Sequence, residues 1–307
     1  MAENLRFMEF LRLWSHMWHG ALHVAPFPEV ETFFSIVTNV LNVTGVSFKR
    51  RDQLQKYQAE LLEQLLESGK VQSGKVLNQE WGLQSPGGTR WGSHCKTLDN
   101  FVILFSSIVH VLGVIECEGD VNDNLQAEAS SSKIKAFEFI FLLHLMLKVL
   151  IMSNELNKAL QKKEQDIVNA MVFLDITKER LQEMRDEGWE PSMDEVSSFC
   201  AKHDILVLKM EEFYISGKSK HRPSQLIDLQ LLELNSRFDV VSSNLLLGMA
   251  SLNPANSFAN FDKERIITLA KHYPDEFGEL KLLDLSRQLD TFIWYMQHGD
   301  PRFSDLK

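Results

Sequence analysis

The chain has 307 residues, 44% hydrophobic and 24% charged, with a formal net charge of −10 at pH 7. That balance excludes a disordered polypeptide and leaves ample length for a packed core. It also excludes a molecule whose whole surface attracts nucleic acid, so any DNA contact must come from a local basic patch working against the global field.

The sparse glycine and proline lean toward helices, and the apolar period agrees along the chain. The first motif is His16, His19 and His23, spaced HxxHxxxH, which a helix would set on neighbouring turns of one face. A zinc site needs four ligands, or three and a water, so these read as structural histidines, with metal ligation as the alternative; no cofactor is implied. A helix then starts at Ser47 and stops at Gly69, with Leu54, Leu61, Leu62, Leu65 and Leu66 on one face. Its Lys49, Arg50 and Arg51 form the sharpest basic cluster, either a solvated patch or a phosphate-backbone contact.

Residues 69–92 are rich in Gly, Ser and Gln and lead into Arg90 and Trp91. An indole can stack on an exposed base beside a phosphate-holding arginine; it can equally be a packed anchor at a helix start. Leu98 to Ile115 carries apolar residues at helical steps, and residues 116–132 read as an acidic loop ending in serines. There Asp120 and Asp123, like Asp99 before them, read as caps or solvated acids.

A long helical stretch is predicted from Ser131 to Glu187. Its apolar run, Phe139 to Leu147, contains His144 and falls short of the ~20 apolar residues of a bilayer span, so it reads as a buried helix with no membrane partner. Leu160, Ile167, Leu174 and Leu181 recur every seven residues, with Met171 and Met184 beside them, a stripe suited to lie against another helix. Further helices are predicted for Met193 to Tyr214, Ser224 to Met249, Phe261 to His272 and Glu279 to Gln297. Asp262 and Asp275 stand near the starts of the last two, and a basic linker, 215–223, carries Lys218, Lys220 and Arg222. No alternating strands bounded by hairpin turns are visible, so the expected fold class is all-α, a multi-helix bundle.

Cys95, Cys117 and Cys200 make no CxxC pair, which argues against a zinc ribbon or disulfide framework and for reduced thiols in an intracellular protein. The N-terminus, MAENLRFMEFLRLW, lacks the features of a secretory signal. Walker and GxSxG motifs are absent, and two-metal phosphoryl transfer needs carboxylates held on strand ends that this pattern does not supply.

At TRWGSH (Thr89 to His94) the chain resembles plant hAT-type transposases, in the lineage labelled MYM-type or TTF-type zinc-finger-like. FFSIVTNVLNVTGVSFKRRDQL, KAFEFIFLLHLMLKVL, ALQKKEQDIVNAM, RLQEMRDEGW, DLQLLELNSRFD and LLLGMASLNPANSFANFDKERIITLAKHYPDEF are similar to that lineage, in order. The resemblance covers roughly residues 30–303 and implies the helical insertion domain of such an enzyme, without its RNase H-like sheet. It divides the chain into a divergent segment 1–29, a first helical part 30–214 with the TRW motif at 89–91, the linker 215–223, and a helical segment 224–307. The family's catalytic carboxylates fall outside the matched residues, so the chain is expected to be a transposon-derived non-enzyme. Its expected partner is a protein met through exposed helix faces, with no oligomeric state implied. A nuclear regulator contacting DNA through Arg90, Trp91 and residues 49–51 is the alternative, and a residual nuclease the third reading. Trp91 matches the family tryptophan that handles the DNA end, and the same kinship favours the nucleus over the cytoplasm.

Overall fold

The computed structural model describes residues 28–45, 47–67, 91–161, 167–207, 222–252 and 258–298. Among them are twelve helices and no strand, as the apolar period predicts. They fall into two compact units, and among the described residues the three divisions, at 155/156, 183/184 and 223/224, all lie inside helices. One unit comprises Glu9–Glu155 and Met184–Pro223; the other contains Leu156–Glu183 and Ser224–Lys307. The second of these units joins the segment 156–183 to the helices after residue 224.

The first unit opens with α1 (Pro28–Gly45), whose Pro28, Glu29 and Glu31 suit a helix start. Val30, Phe33, Val37, Val40 and Leu41 line its buried face. Helix α2 (Phe48–Glu67) is capped as expected, the Ser47 hydroxyl accepting from the Arg50 amide at 3.2 Å. Leu54 of its predicted stripe is buried, and the buried Gln58 accepts a 2.6 Å hydrogen bond from Ser107.

The single helix expected over 98–115 is two: α3 (Trp91–Ile103) and α4 (Phe105–Glu118), bent by 73°. Leu104 takes φ −90°, ψ 7°, yet the bonds from Leu104 N to Asn100 O and from Ile108 N to Leu104 O, both 2.8 Å, survive. The bend sends Leu98 and Phe101 on one arm, and Ile108 and Leu112 on the other, into one core. The apolar period runs unbroken through it, which is why the sequence shows no break.

The acidic loop expected over 116–132 is also mostly helix. Asp120 caps α5 (Val121–Ile134) by accepting from Asn122 N and Asp123 N at 3.0 and 2.9 Å. Ala127, Ser130, Ser131 and Ile134 form its buried face, and small residues there let α5 pack against α1 and α4. The serines read as loop composition serve close helix contact.

The long helical stretch expected from Ser131 divides too, at Lys135 and Ala136, where α6 (Phe137–Leu160) begins. By length and apolarity α6 could cross a membrane, the one single helix among the described residues that could, but 67% of its most apolar window is buried. Within the first unit Ile140, Leu143, Met146, Val149 and Leu150 are fully enclosed. Its buried polar groups bond to their own helix: His144 Nδ1 lies 2.9 Å from Ile140 O and Ser153 donates to Val149 O at 2.8 Å. Helix α8 (Trp189–Lys202) packs along it through Phe141–Trp189 and His144–Phe199 ring contacts and a 2.6 Å Lys148–Glu195 ion pair. It starts earlier than Met193 and ends well before Tyr214. Asp204 turns left-handed there (φ 54°), and Cys200 O accepts from both His203 N and Ile205 N.

The second unit holds α7 (Ile167–Asp186) up to Glu183, with α9 (Arg222–Arg237), α10 (Val240–Ala250), α11 (Lys263–Lys271) and α12 (Glu279–Gln297). The seven-residue stripe is buried as expected at Leu160, Ile167, Leu174 and Leu181, with Met171. The predicted 224–249 helix breaks at Phe238, where Asp239 accepts from Ser242 N at 2.7 Å and caps α10. Asp262 caps α11 in the same way. Gly248 lets α10 and α11 touch: a Cβ there would stand 2.8 Å from Leu269 Cβ. Lys263 bridges to Asp290 at 2.6 Å and ties α11 to α12.

Candidate functional site

Of the predicted site residues, only Lys49, Arg50 and Arg51 are fully among the described residues. His16, His19, His23 and Arg90 lie outside those residues, and Trp91 opens α3 with its side chain outside the described set. No group of three or more His, Cys, Asp or Glu among the described residues is placed to hold a metal ion.

The basic cluster is described, and its three cations have different surroundings. The Arg50 guanidinium, 16% exposed, donates to Val43 O at 2.9 Å and pairs closely with Asp123. It joins the end of α1, the start of α2 and the start of α5 by satisfying a helix-terminal carbonyl and a helix-start acid together. Lys49 lies 3.9 Å from Glu118, both well exposed, where a pair contributes little. Arg51 lies over the Phe48 ring at 4.6 Å. Arg50 is thus committed to the fold, leaving Lys49 and Arg51 as the outward charges of the cluster.

A second polar group holds the second unit. Lys178 of α7 donates to Phe238 O at 3.0 Å, at the C-terminal end of α9. Burial lowers the Lys178 pKa, against the pull of Asp175 and Asp239. The fully exposed Asp239 is held below its ordinary value by its bonds to Ser242, with Lys178 adding to the effect. This clamp fixes α7 against the α9–α10 break.

Fixing α7 in this way leaves apolar surface outward. Val172, Phe173 and Ile176 are exposed on the face opposite the buried stripe. Helix α12 does the same on a larger scale. It buries Leu289 and Met296, while Leu280 is 81%, Leu283 58% and Trp294 54% exposed, with Tyr295 beside them. At 100° per residue these four share one outward arc with Asp284, Arg287 and Thr291. Trp294 is braced by His298, stacked at 4.3 Å, and by Tyr295 edge-on at 5.3 Å. Neither outward face was picked out from the sequence. The signal for α12 was present: Leu280, Arg287 and Trp294 stand seven apart on a helix that already has Leu282, Leu285 and Leu289 to bury.

No protein-family model, curated protein or solved structure matches this chain. Function must therefore be argued from the surface itself.

Proposed function

We propose that this protein is a transposon-derived, non-catalytic helical module that works by binding other proteins through outward helix faces. The observation that carries the reading is the pair of apolar faces on α7 and α12, in a unit whose helices are otherwise capped, clamped and tied. Contiguous exposed apolar surface on an ordered scaffold marks an interaction site. The likeness to the hAT insertion domain supplies a reason for such faces, since helices that decorate a catalytic sheet keep the side chains that met it. The residues that carry that likeness include none of the family's carboxylates, hence a non-enzyme.

Hydrophobic-dye binding to the native chain tests this. Dye should bind at neutral pH, and the signal should fall when Val172, Ile176, Leu280 and Leu283 are all changed to lysine with helicity preserved. A native chain that binds no dye would sink the reading. The DNA-associated alternative draws less from the geometry, because Arg50 is held by Asp123 and Val43.

A further inference from the structure

We propose that the outward face of α12 pairs antiparallel with the same face of a second copy of this chain. The inference rests on the interaction reading above and names the partner for one of its two faces. The face is apolar at both ends and charged between: Leu280 and Leu283 at the N-terminal end, Trp294 and Tyr295 at the C-terminal end, Asp284 and Arg287 in the middle. The ends lie ~21 Å apart, from Leu280 to Trp294, at 1.5 Å per residue.

This pattern complements itself in one direction only. Antiparallel pairing about an axis between Asp284 and Arg287 sets each Arg287 against the Asp284 of the other copy. It also sets each Leu280 opposite the Thr291 of the mate, with the Trp294 ring ~4.5 Å further along, beside Leu280 at the start of the mate's α12. Parallel pairing would put Arg287 on Arg287 and Asp284 on Asp284, which repel. The other acid of this region, Asp290, is already engaged by Lys263 and does not compete for Arg287. Trp294, stiffened by the His298 stack and edge contact with Tyr295, loses little freedom on docking and has the character of an interface anchor. One helix pair lies at the small end of interface sizes, so the dimer is a weak one, with Kd of roughly micromolar order.

Sedimentation equilibrium of the full chain, from about 1 to about 100 µM, reads this directly. The expected result is a mass rising from monomer toward dimer. Trp294→Ala should weaken association at least about tenfold. Arg287→Asp should weaken it, and the exchange Asp284→Arg with Arg287→Asp should restore it, because the exchange rebuilds both pairs. These side chains are exposed, so circular dichroism should show unchanged helix in every variant. A monomer throughout, or association indifferent to Trp294→Ala, or a charge exchange that does not rescue, overturns the proposal. A monomer that still binds hydrophobic dye refutes self-pairing and leaves the wider reading standing; a monomer that binds none refutes both.

Discussion

The two units bury their apolar side chains very differently. All twelve of the largest fully enclosed side chains, from Phe33 to Leu150, belong to the first unit. Of the eighteen large apolar side chains that stand exposed among the described residues, twelve belong to the second. The first unit has a sealed interior, because its bent α3–α4 pair and its small-residue α5 pack closely with α1 and α2. The second unit has ordered helices with apolar residues on more faces than its own neighbours cover. Surface left over in this way is where a helical protein gains binding capacity.

The largest expected effect tests the sealed interior. Phe101 is fully buried and its ring approaches those of Phe105 and Phe139. Phe101→Ala should cost about 3–5 kcal/mol in urea unfolding, since dense surroundings cannot collapse into the gap. Leu289→Ala on α12, with half-exposed neighbours that can close in, should cost about 2 kcal/mol. Equal losses at the two positions would break the contrast between the units.

The next effect is confined to one unit. Lys178→Met removes the donor to the Phe238 carbonyl but keeps the apolar stem, so it isolates the clamp from packing. A loss of about 1–3 kcal/mol is expected. Amide exchange should quicken along α9 and α10 and stay unchanged in α4. Exchange that rises evenly through both units would show that they unfold as one.

How far the sequence reveals these features depends on the range of the interactions behind them. Local signals were legible: the Ser47 cap, the acid Asp262 at a helix start, the buried stripe from Leu160 to Leu181, and α12, found with the predicted bounds. Breaks inside an apolar period were not. Leu104 and Phe238 are themselves buried apolar residues, so the pattern continues across both, and only packing or a capping acid reveals the division. Composition misled at residues 116–132, where serines and alanine serve close helix contact. In the candidate site, the Lys49–Arg51 cluster was visible, but the partner that occupies Arg50 is Asp123, 73 residues away. The outward face of α12 left a seven-residue spacing in the sequence, but leucines occur all around that helix, so burial was needed to separate inner from outer.

The smallest expected effect concerns a titrating group in the sealed unit. The His203 ring closes the end of α8 against Phe105 at 4.8 Å and Phe199 at 4.4 Å, with its Nδ1 3.4 Å from the Ser106 hydroxyl. Burial holds its pKa below the ordinary 6.5, helped by Lys202 and opposed by Asp204. The unfolded chain therefore takes up this proton more readily than the folded one. The His203 contribution is fully present above pH 6.5 and is lost as pH falls from there through the depressed folded value. His203→Phe keeps a ring against Phe105 and Phe199 but cannot be protonated, so it should lessen the fall in urea midpoint between pH 7 and pH 5. The second unit supplies the control, because its histidines His272 and His298 are exposed. Its α12 amides should exchange with the same pH dependence in wild type and variant, once intrinsic exchange rates are corrected for. If the acid slope survives His203→Phe undiminished, the sensitivity lies elsewhere, and the ring at the end of α8 is packing alone.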